Sequence, residues 1–324
     1  MGNRPFLLSP CGKDYLWGGN RLREEFHKEI SMSPLAETWE CSIHPDGPSV
    51  VASGKHKGQL LPDVLMEYPE YLGTHPRDGL PVLVKLIDAS QNLSIQVHPT
   101  DEYAYMYENG ASGKTEMWYV LDAKPGAELI FGCSQDMSLE DMRTGLKEGS
   151  IEKYLRKVPV VKDDVFFMPA GTIHAIGEGV LLAEIQQSSN LTYRLYDYDR
   201  VDKDGQKRRL HWDKALEVAN LSGSVKPRQP MRVLRYRPGV ATELLCRCKY
   251  FEVNRMLINT ERRQKVTYFA DALSFRVLLC IDGTGRLVYD DEALIFRKGD
   301  CIFVPADSVE MEIQGEVQLL DIRG

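Results

Sequence analysis

The chain is written in short apolar or alternating runs, each closed by Gly, Pro, Asn or Asp, and this rhythm excludes most folds. Val82-Leu83-Val84-Lys85-Leu86-Ile87, Leu93-Ser94-Ile95-Gln96-Val97, Met117-Trp118-Tyr119-Val120-Leu121 and Val165-Phe166-Phe167-Met168 are examples. Runs this short, rich in branched and aromatic residues, read as strands. Residues 273–279, 285–289, 301–304 and 317–322 continue the pattern, with Asp282-Gly283, Lys298-Gly299-Asp300 and Pro305-Ala306-Asp307 read as turns between them. The fold class is therefore mainly β, a sandwich or barrel-like jelly roll. Helices are few. Ser138-Leu139-Glu140-Asp141-Met142 is a capping sequence, and residues 213–220 carry a second helical pattern.

One phrase occurs twice. Val161-Lys162-Asp163-Asp164-Val165-Phe166-Phe167-Met168-Pro169-Ala170 and Lys298-Gly299-Asp300-Cys301-Ile302-Phe303-Val304-Pro305-Ala306 each give a turn, a strand, then Pro-Ala. The chain reads as two copies of one β-barrel unit, over 1–225 and 226–324, with the polar stretch 223–230 as linker. The first copy runs on to His174. The second runs on through Asp307-Ser308-Val309-Glu310 without a histidine. Chemistry is assigned to the first unit and packing to the second.

Charge narrows the partners. Lys and Arg total 40 against 47 Asp and Glu, a net charge of −7 over 324 residues. Such a balance does not suit a nucleic-acid binder. No apolar run reaches the roughly 18–20 residues of a membrane helix. Seven cysteines are thinly spread, with no C-x-x-C pair. Cys246 and Cys248 read as buried thiols, and the chain as cytoplasmic.

Gln96 and His98 lie two apart at the end of a predicted strand, so both side chains leave one face. Lys114 and Glu116 open the next strand with the same spacing. His174 follows Pro169-Ala170-Gly171-Thr172, and Glu184 and Gln186 lie on the return strand. Two imidazoles and a carboxylate, with a Gln as fourth donor, suit zinc or another borderline divalent ion. Singly, His98 is an ordinary core or surface histidine and Glu116 a solvated strand start. Together the spacings support a cupin-type metal site, but they name no reaction.

With these motifs in order, the chain resembles the type I mannose-6-phosphate isomerases (phosphomannose isomerases) in their short bacterial form. The resemblance is carried by Tyr15-Leu16-Trp17-Gly18-Gly19, Glu37-Thr38-Trp39-Glu40 with Ser42-x-His44-Pro45, and Leu80-Pro81-Val82-Leu83-Val84-Lys85. It continues through Leu93-Ser94-Ile95-Gln96-Val97-His98-Pro99, Gly113-Lys114-Thr115-Glu116-Met117-Trp118-Tyr119 and Pro169-Ala170-Gly171-Thr172-Ile173-His174-Ala175. It ends with Glu184-Ile185-Gln186 and the run from Gln187 to Asp197. It covers most of residues 1–220 and is weaker beyond.

The resemblance implies two cupin-like jelly-roll units and one zinc ion per chain. It matches the zinc ligands to Gln96, His98, Glu116 and His174. Gln96 is a weak neutral donor, for which a place beside the metal is the alternative. It also matches active-site cations to Arg194, Lys85 and Lys114, a serine at the phosphate end to Ser94, and the proposed base to Glu184. The implied reaction converts mannose 6-phosphate to fructose 6-phosphate.

Such chemistry needs these groups. Moving a proton from C2 to C1 requires a base whose pKa is lifted by burial, with cations beside the developing negative oxygen. The substrate phosphate needs fixed positive charge. Plainer readings exist for each. Lys85 could guard a sheet edge, Arg194 could pair with Asp197 or Asp199, and Ser94 could serve only backbone groups. His44 reads as structural and Lys207-Arg208-Arg209 as a solvated loop. Two rivals differ in class: a cupin oxygenase using iron, which has no use for the surrounding cations, and a sugar-phosphate-binding cupin without turnover. The expected partner is a small sugar phosphate, with no nucleic acid or membrane, and the expected state is a monomer.

Overall fold

The alternating runs form strands, and among the described residues these strands pair into three sheets. The structure is a computed structural model describing residues 2–75, 79–201, 204–224, 227 and 229–324. One antiparallel sheet has, in spatial order, Val165–Met168, Glu116–Ala123, Val180–Gln187, Val82–Asp88, Glu37–Cys41 and Cys11–Lys13. A second has Tyr193–Tyr196, Ile95–Val97, His174–Ile176, Glu128–Cys133 and Leu155–Pro159. From Val82 to Tyr196 the chain crosses repeatedly between these two sheets, which makes a jelly roll. Trp118, Val120, Leu129, Phe166, Ile176 and Leu182 fill the space between them. On the outer face of the second sheet, Ile95, Val97 and Leu195 pack against Met142, Leu146 and Leu216 of two helices, Leu139–Lys147 and Trp212–Val218.

Residues 235–323 build the third sheet. Its strands Cys301–Val304, Arg276–Tyr289, Met311–Arg323 and Glu252–Asn259 lie in the order 301, 276, 311, 252, with Val266–Tyr268 on the Met311 strand. Phe6–Ser9 and Val50–Val51 extend the same sheet from the front of the chain. The two units therefore share one apolar cluster. Phe6 stacks on Phe303 at 5.3 Å between centroids, and Phe303 on Phe275 at 5.6 Å. Each such buried Phe contributes roughly 1.5–3 kcal/mol, and each ring pair adds about 0.5–1.5 kcal/mol beyond burial.

The repeated phrase has one geometry. Asp163 and Gly299 both take a left-handed backbone, with φ of 73° and 96°. The carboxylates one residue on, of Asp164 and Asp300, accept from Val161 N at 2.9 Å and Arg297 N at 2.8 Å. Gly299 is required by contact as well, because a Cβ there would lie 2.1 Å from Phe26 O.

Several expectations hold locally. Ser138 caps its helix by accepting from Asp141 N at 3.0 Å. The second helix spans Trp212–Val218. Others are corrected. Asp282-Gly283 is not a chain reversal: Arg276–Tyr289 is one long strand whose register shifts between Cys280 and Asp282. A bulge needs the same permissive residue as a turn, here Gly283 at φ 79°. Cys246 and Cys248 are half-buried, not buried. The strand ends at Arg247, so Cys248 lies in the turn that follows. The expected unit boundary at 225 and 226 lies outside the described residues. No described helix is long and apolar enough to cross a membrane.

Candidate active site

Period-two alternation carries the polar residues inward. Ile95, Val97, Tyr193 and Leu195 face the outer helices, so Gln96 and Arg194 face the opposite way. His174 pairs with Gln96, and Gln96 with Arg194, across neighbouring strands. On the facing sheet Glu116 pairs with Gln186, Glu184 with Lys85, and Lys85 with Trp39. One end of the jelly roll is thereby lined from both sheets.

His98, Glu116 and His174 converge there, with their ligand atoms all within 4.8 Å of one another. His98 Nε2 lies 3.2 Å from Glu116 Oε1, and His174 Nε2 lies 3.6 Å from Glu116 Oε2. All three side chains are buried. Each imidazole donates from Nδ1 to a carbonyl, His98 to Leu191 O and His174 to Thr172 O, both at 2.8 Å. A carbonyl only accepts, so both Nε2 lone pairs face Glu116. Burial lowers both imidazoles, His98 to about 3 and His174 in the same direction, and keeps them neutral. Burial alone would raise Glu116, but Lys114 and the two histidines hold it well below the usual carboxylate range.

This set fits a divalent cation. Neither Glu116 oxygen receives a well-directed hydrogen bond, although Lys114 Nζ stands 2.6 Å from Oε1. Gln186, its cross-strand partner, donates from Nε2 to Gln187 O and Ser189 O, which leaves its buried Oε1 without a donor. Neutral imidazole nitrogens and donor-poor oxygens around one point are a Lewis-base cage. Gln96 borders it, with Nε2 3.5 Å from His174 Nε2, and Ser94 Oγ donates weakly to Gln96 Oε1 at 3.4 Å.

Glu184 lies beside the cage. Trp118 Nε1 donates to its Oε2 at 2.9 Å, and Lys85 Nζ pairs with its Oε1 at 3.1 Å. Burial first, then the charge of Glu116, raises its carboxyl against the pull of Lys85. Lys85 is itself raised: its carboxylate neighbours Glu184 and Glu37 outweigh burial. Its ammonium lies 5.0 Å from the Trp39 ring centroid. The Lys85 strand is internal to its sheet, which removes the edge-lysine reading.

Arg194 is half-buried, and its Nε has no hydrogen-bond partner among the described residues. Asp197 does not hold it in an ion pair. That carboxylate is paired with Arg200 and Arg208 instead. Arg208 thus departs from the solvated-loop expectation, while Lys207 and Arg209 are exposed as expected. His44 is half-buried and accepts at Nδ1 from Asp46 N, as a structural histidine does. Sequence reasoning assigned no role to Glu37, Trp118 or Arg208. Glu37 accepts from Trp39 Nε1 at 2.8 Å and lies 3.8 Å from Lys85 Nζ, a relation visible only once the strands pair.

Comparison with known proteins agrees with this arrangement. Residues 6–153 match the family described as phosphomannose isomerase type I, catalytic domain, and residues 241–323 match mannose-6-phosphate isomerase, cupin domain. The mannose-6-phosphate isomerase ManA of Bacillus subtilis is 35% identical over 99% of both chains. That of Streptococcus mutans is 36% identical over 99% of this chain and 98% of its own. The crystal structure of the mannose 6-phosphate isomerase from Bacillus subtilis superposes with a TM-score of 0.92, at 36% identity and 99% coverage of both chains. The donor cage, the flanking carboxylate and cations, and this end-to-end similarity lead to one conclusion: the chain belongs to the type I phosphomannose isomerase family.

Proposed function

We propose that the chain interconverts mannose 6-phosphate and fructose 6-phosphate through an enediolate, with one zinc ion per chain. The observation that carries this reading is the buried His98–Glu116–His174 cage with Glu184 and Lys85 beside it. His98, Glu116 and His174 hold the metal, and Gln96 borders it. A divalent ion bound there supplies positive charge at the sugar carbonyl. Glu184 takes the proton from C2 and returns it to C1. Its raised carboxyl suits that task, because a base works best with a pKa near the operating pH.

Lys85 holds Glu184 in place and stays charged while it does so. Lys114, 2.6 Å from Glu116, places a second cation at the reacting end. Arg194, with Lys85, Lys114 and Ser94, binds the substrate. A binding protein without turnover has no need of an intact base beside an intact cage. An oxygenase has no need of three cations around it. We also read the protein as a cytoplasmic monomer, which its seven unbridged cysteines support as to compartment.

The test is conversion of mannose 6-phosphate by purified protein, before and after chelation and with zinc added back. Activity lost to chelator and restored by zinc is the expected result. Metal-loaded protein without activity would mean another sugar phosphate or binding alone.

A further inference from the structure

A cluster of guanidinium groups lies outside the cage and is unused by the proton transfer. Arg208 donates to both oxygens of Asp197, from Nε at 2.7 Å and from Nη2 at 2.6 Å. Arg200 donates to the same carboxylate and to Asn92 O at 2.6 Å. Arg194, three residues before Asp197, has its buried Nε without an acceptor. Within this cluster three guanidinium charges meet one carboxylate, an excess of positive charge in a chain of net charge −7. Burial and the nearby charge of Arg208 both disfavour the Arg194 cation. Like charges are held together at such a cost where an anion is to be received.

The position is right for the far end of the substrate. Arg194 and His174 are separated by one strand, that of Gln96, so they lie two strand spacings apart, about 10 Å. That is comparable with the span of an extended hexose 6-phosphate from its carbonyl to its phosphorus. Burial first, and then the charge of Glu37, raises the Tyr15 hydroxyl against the charges of Lys85, Arg194 and Arg208.

We propose that Arg208, aimed by Asp197, joins Arg194 in gripping the substrate's phosphate. The assignment rests on the sugar-phosphate reading of the site. Asp197 is a positioning residue: it takes one edge of the planar Arg208 fork and leaves that group's remaining N–H donors for the phosphate.

The experiment pairs steady-state kinetics with calorimetric titration of inorganic phosphate into the metal-loaded protein. Arg208→Gln should raise KM for mannose 6-phosphate about 10–100-fold and weaken phosphate binding by a similar factor, with the loss falling mainly on KM. Arg208→Lys keeps the charge but not the fork, so it should give a smaller rise and serves if the Gln variant does not fold. Asp197→Asn should raise KM, and Asp197→Glu should recover part of the loss. Arg209→Gln, at the exposed neighbour, should change neither quantity. Equal KM and equal phosphate affinity in wild-type and Arg208→Gln would overturn the assignment. Wild-type protein that binds phosphate but does not isomerise overturns the isomerase reading instead, and the phosphate titration of Arg208→Gln still decides the grip.

Discussion

The two jelly-roll units share a turn, a strand and a Pro-Ala corner, yet among the described residues only the first carries a donor cage. Their registers align. Met168 pairs with Glu116 in the first unit, and Val304 pairs with Arg276 in the second. Trp118 pairs with Glu184, and Leu278 with Asp321. His174 pairs with Gln96, and Met311 with Tyr268. So Glu116, Glu184, His174 and Gln96 are answered by Arg276, Asp321, Met311 and Tyr268. In the second unit Tyr268 and Arg276 both turn to Asp321, although Arg276 Nε has no partner among the described residues. Tyr268 donates to Asp321 Oδ1 at 2.8 Å, and Arg276 Nη1 lies 3.5 Å from Asp321 Oδ2. In the first unit Gln186 Oε1 has no donor, and the Glu116 oxygens meet the Lys114 ammonium and two imidazole nitrogens whose protons sit on the other ring atom. One scaffold therefore serves two ends. A carboxylate held by a hydroxyl and a guanidinium stabilises packing, and a convergence of imidazole and carboxylate lone pairs is left for a ligand.

The sharpest way to break this comparison is to damage the cage. His174→Ala should remove bound metal and activity together, with turnover lower by at least about 10²-fold. Full metal content per chain with normal turnover would sink the assignment. Glu184→Gln should retain metal and lower kcat by about 10²–10⁴-fold. Loss of C2 proton transfer or exchange with solvent, followed by isotope label, is the readout, and transfer at the normal rate places the base elsewhere.

The same kind of change in the second unit should act on stability alone. Tyr268→Phe leaves Asp321 short of a donor in a buried site and should cost about 1–3 kcal/mol. Urea unfolding measures it, and kcat per folded molecule should not move. A fall in kcat at full folding would mean that the second unit takes part in the chemistry.

The smallest effect separates two buried aspartates by pH. Burial would raise Asp197, but hydrogen bonds from Arg208 and Arg200 outweigh it and hold the carboxyl low. Its contribution to stability is present above the unfolded value, about pH 4, and is lost as pH falls through the folded value. Asp321 is opposite: burial outweighs Arg276 and Tyr268 and raises it. Its contribution is present below the unfolded value and is lost as pH rises through the folded one. Melting temperatures over about pH 3 to 7 should therefore show acid sensitivity reduced in Asp197→Asn and increased in Asp321→Asn. Parallel profiles for both variants and wild type would remove the distinction.

The strand rhythm, the repeated turn and the cage were legible because they are local. His98 announces its face by its spacing from Gln96, and the absence of a histidine after Pro305-Ala306 already separates the units. Asp282-Gly283 misled because turns and bulges ask the same of the backbone. Arg208 was hidden because a basic run looks solvated until its carboxylate is known, and that carboxylate, Asp197, stands 11 residues earlier in the chain.

By itself the sequence determined the β class, the doubled unit, the residues of the cage and the family resemblance. These depend on side-chain period and on residues close in the chain. Tertiary structure alone decided that Lys85 lies between Glu184 and Glu37, that Arg276 and Tyr268 meet Asp321 inside the second unit, and that Asp197 binds Arg208 rather than Arg194. The physical reason is register. Glu184 and Lys85 are far apart along the chain, and which residues face one another across a sheet is set by how whole strands bury their apolar faces.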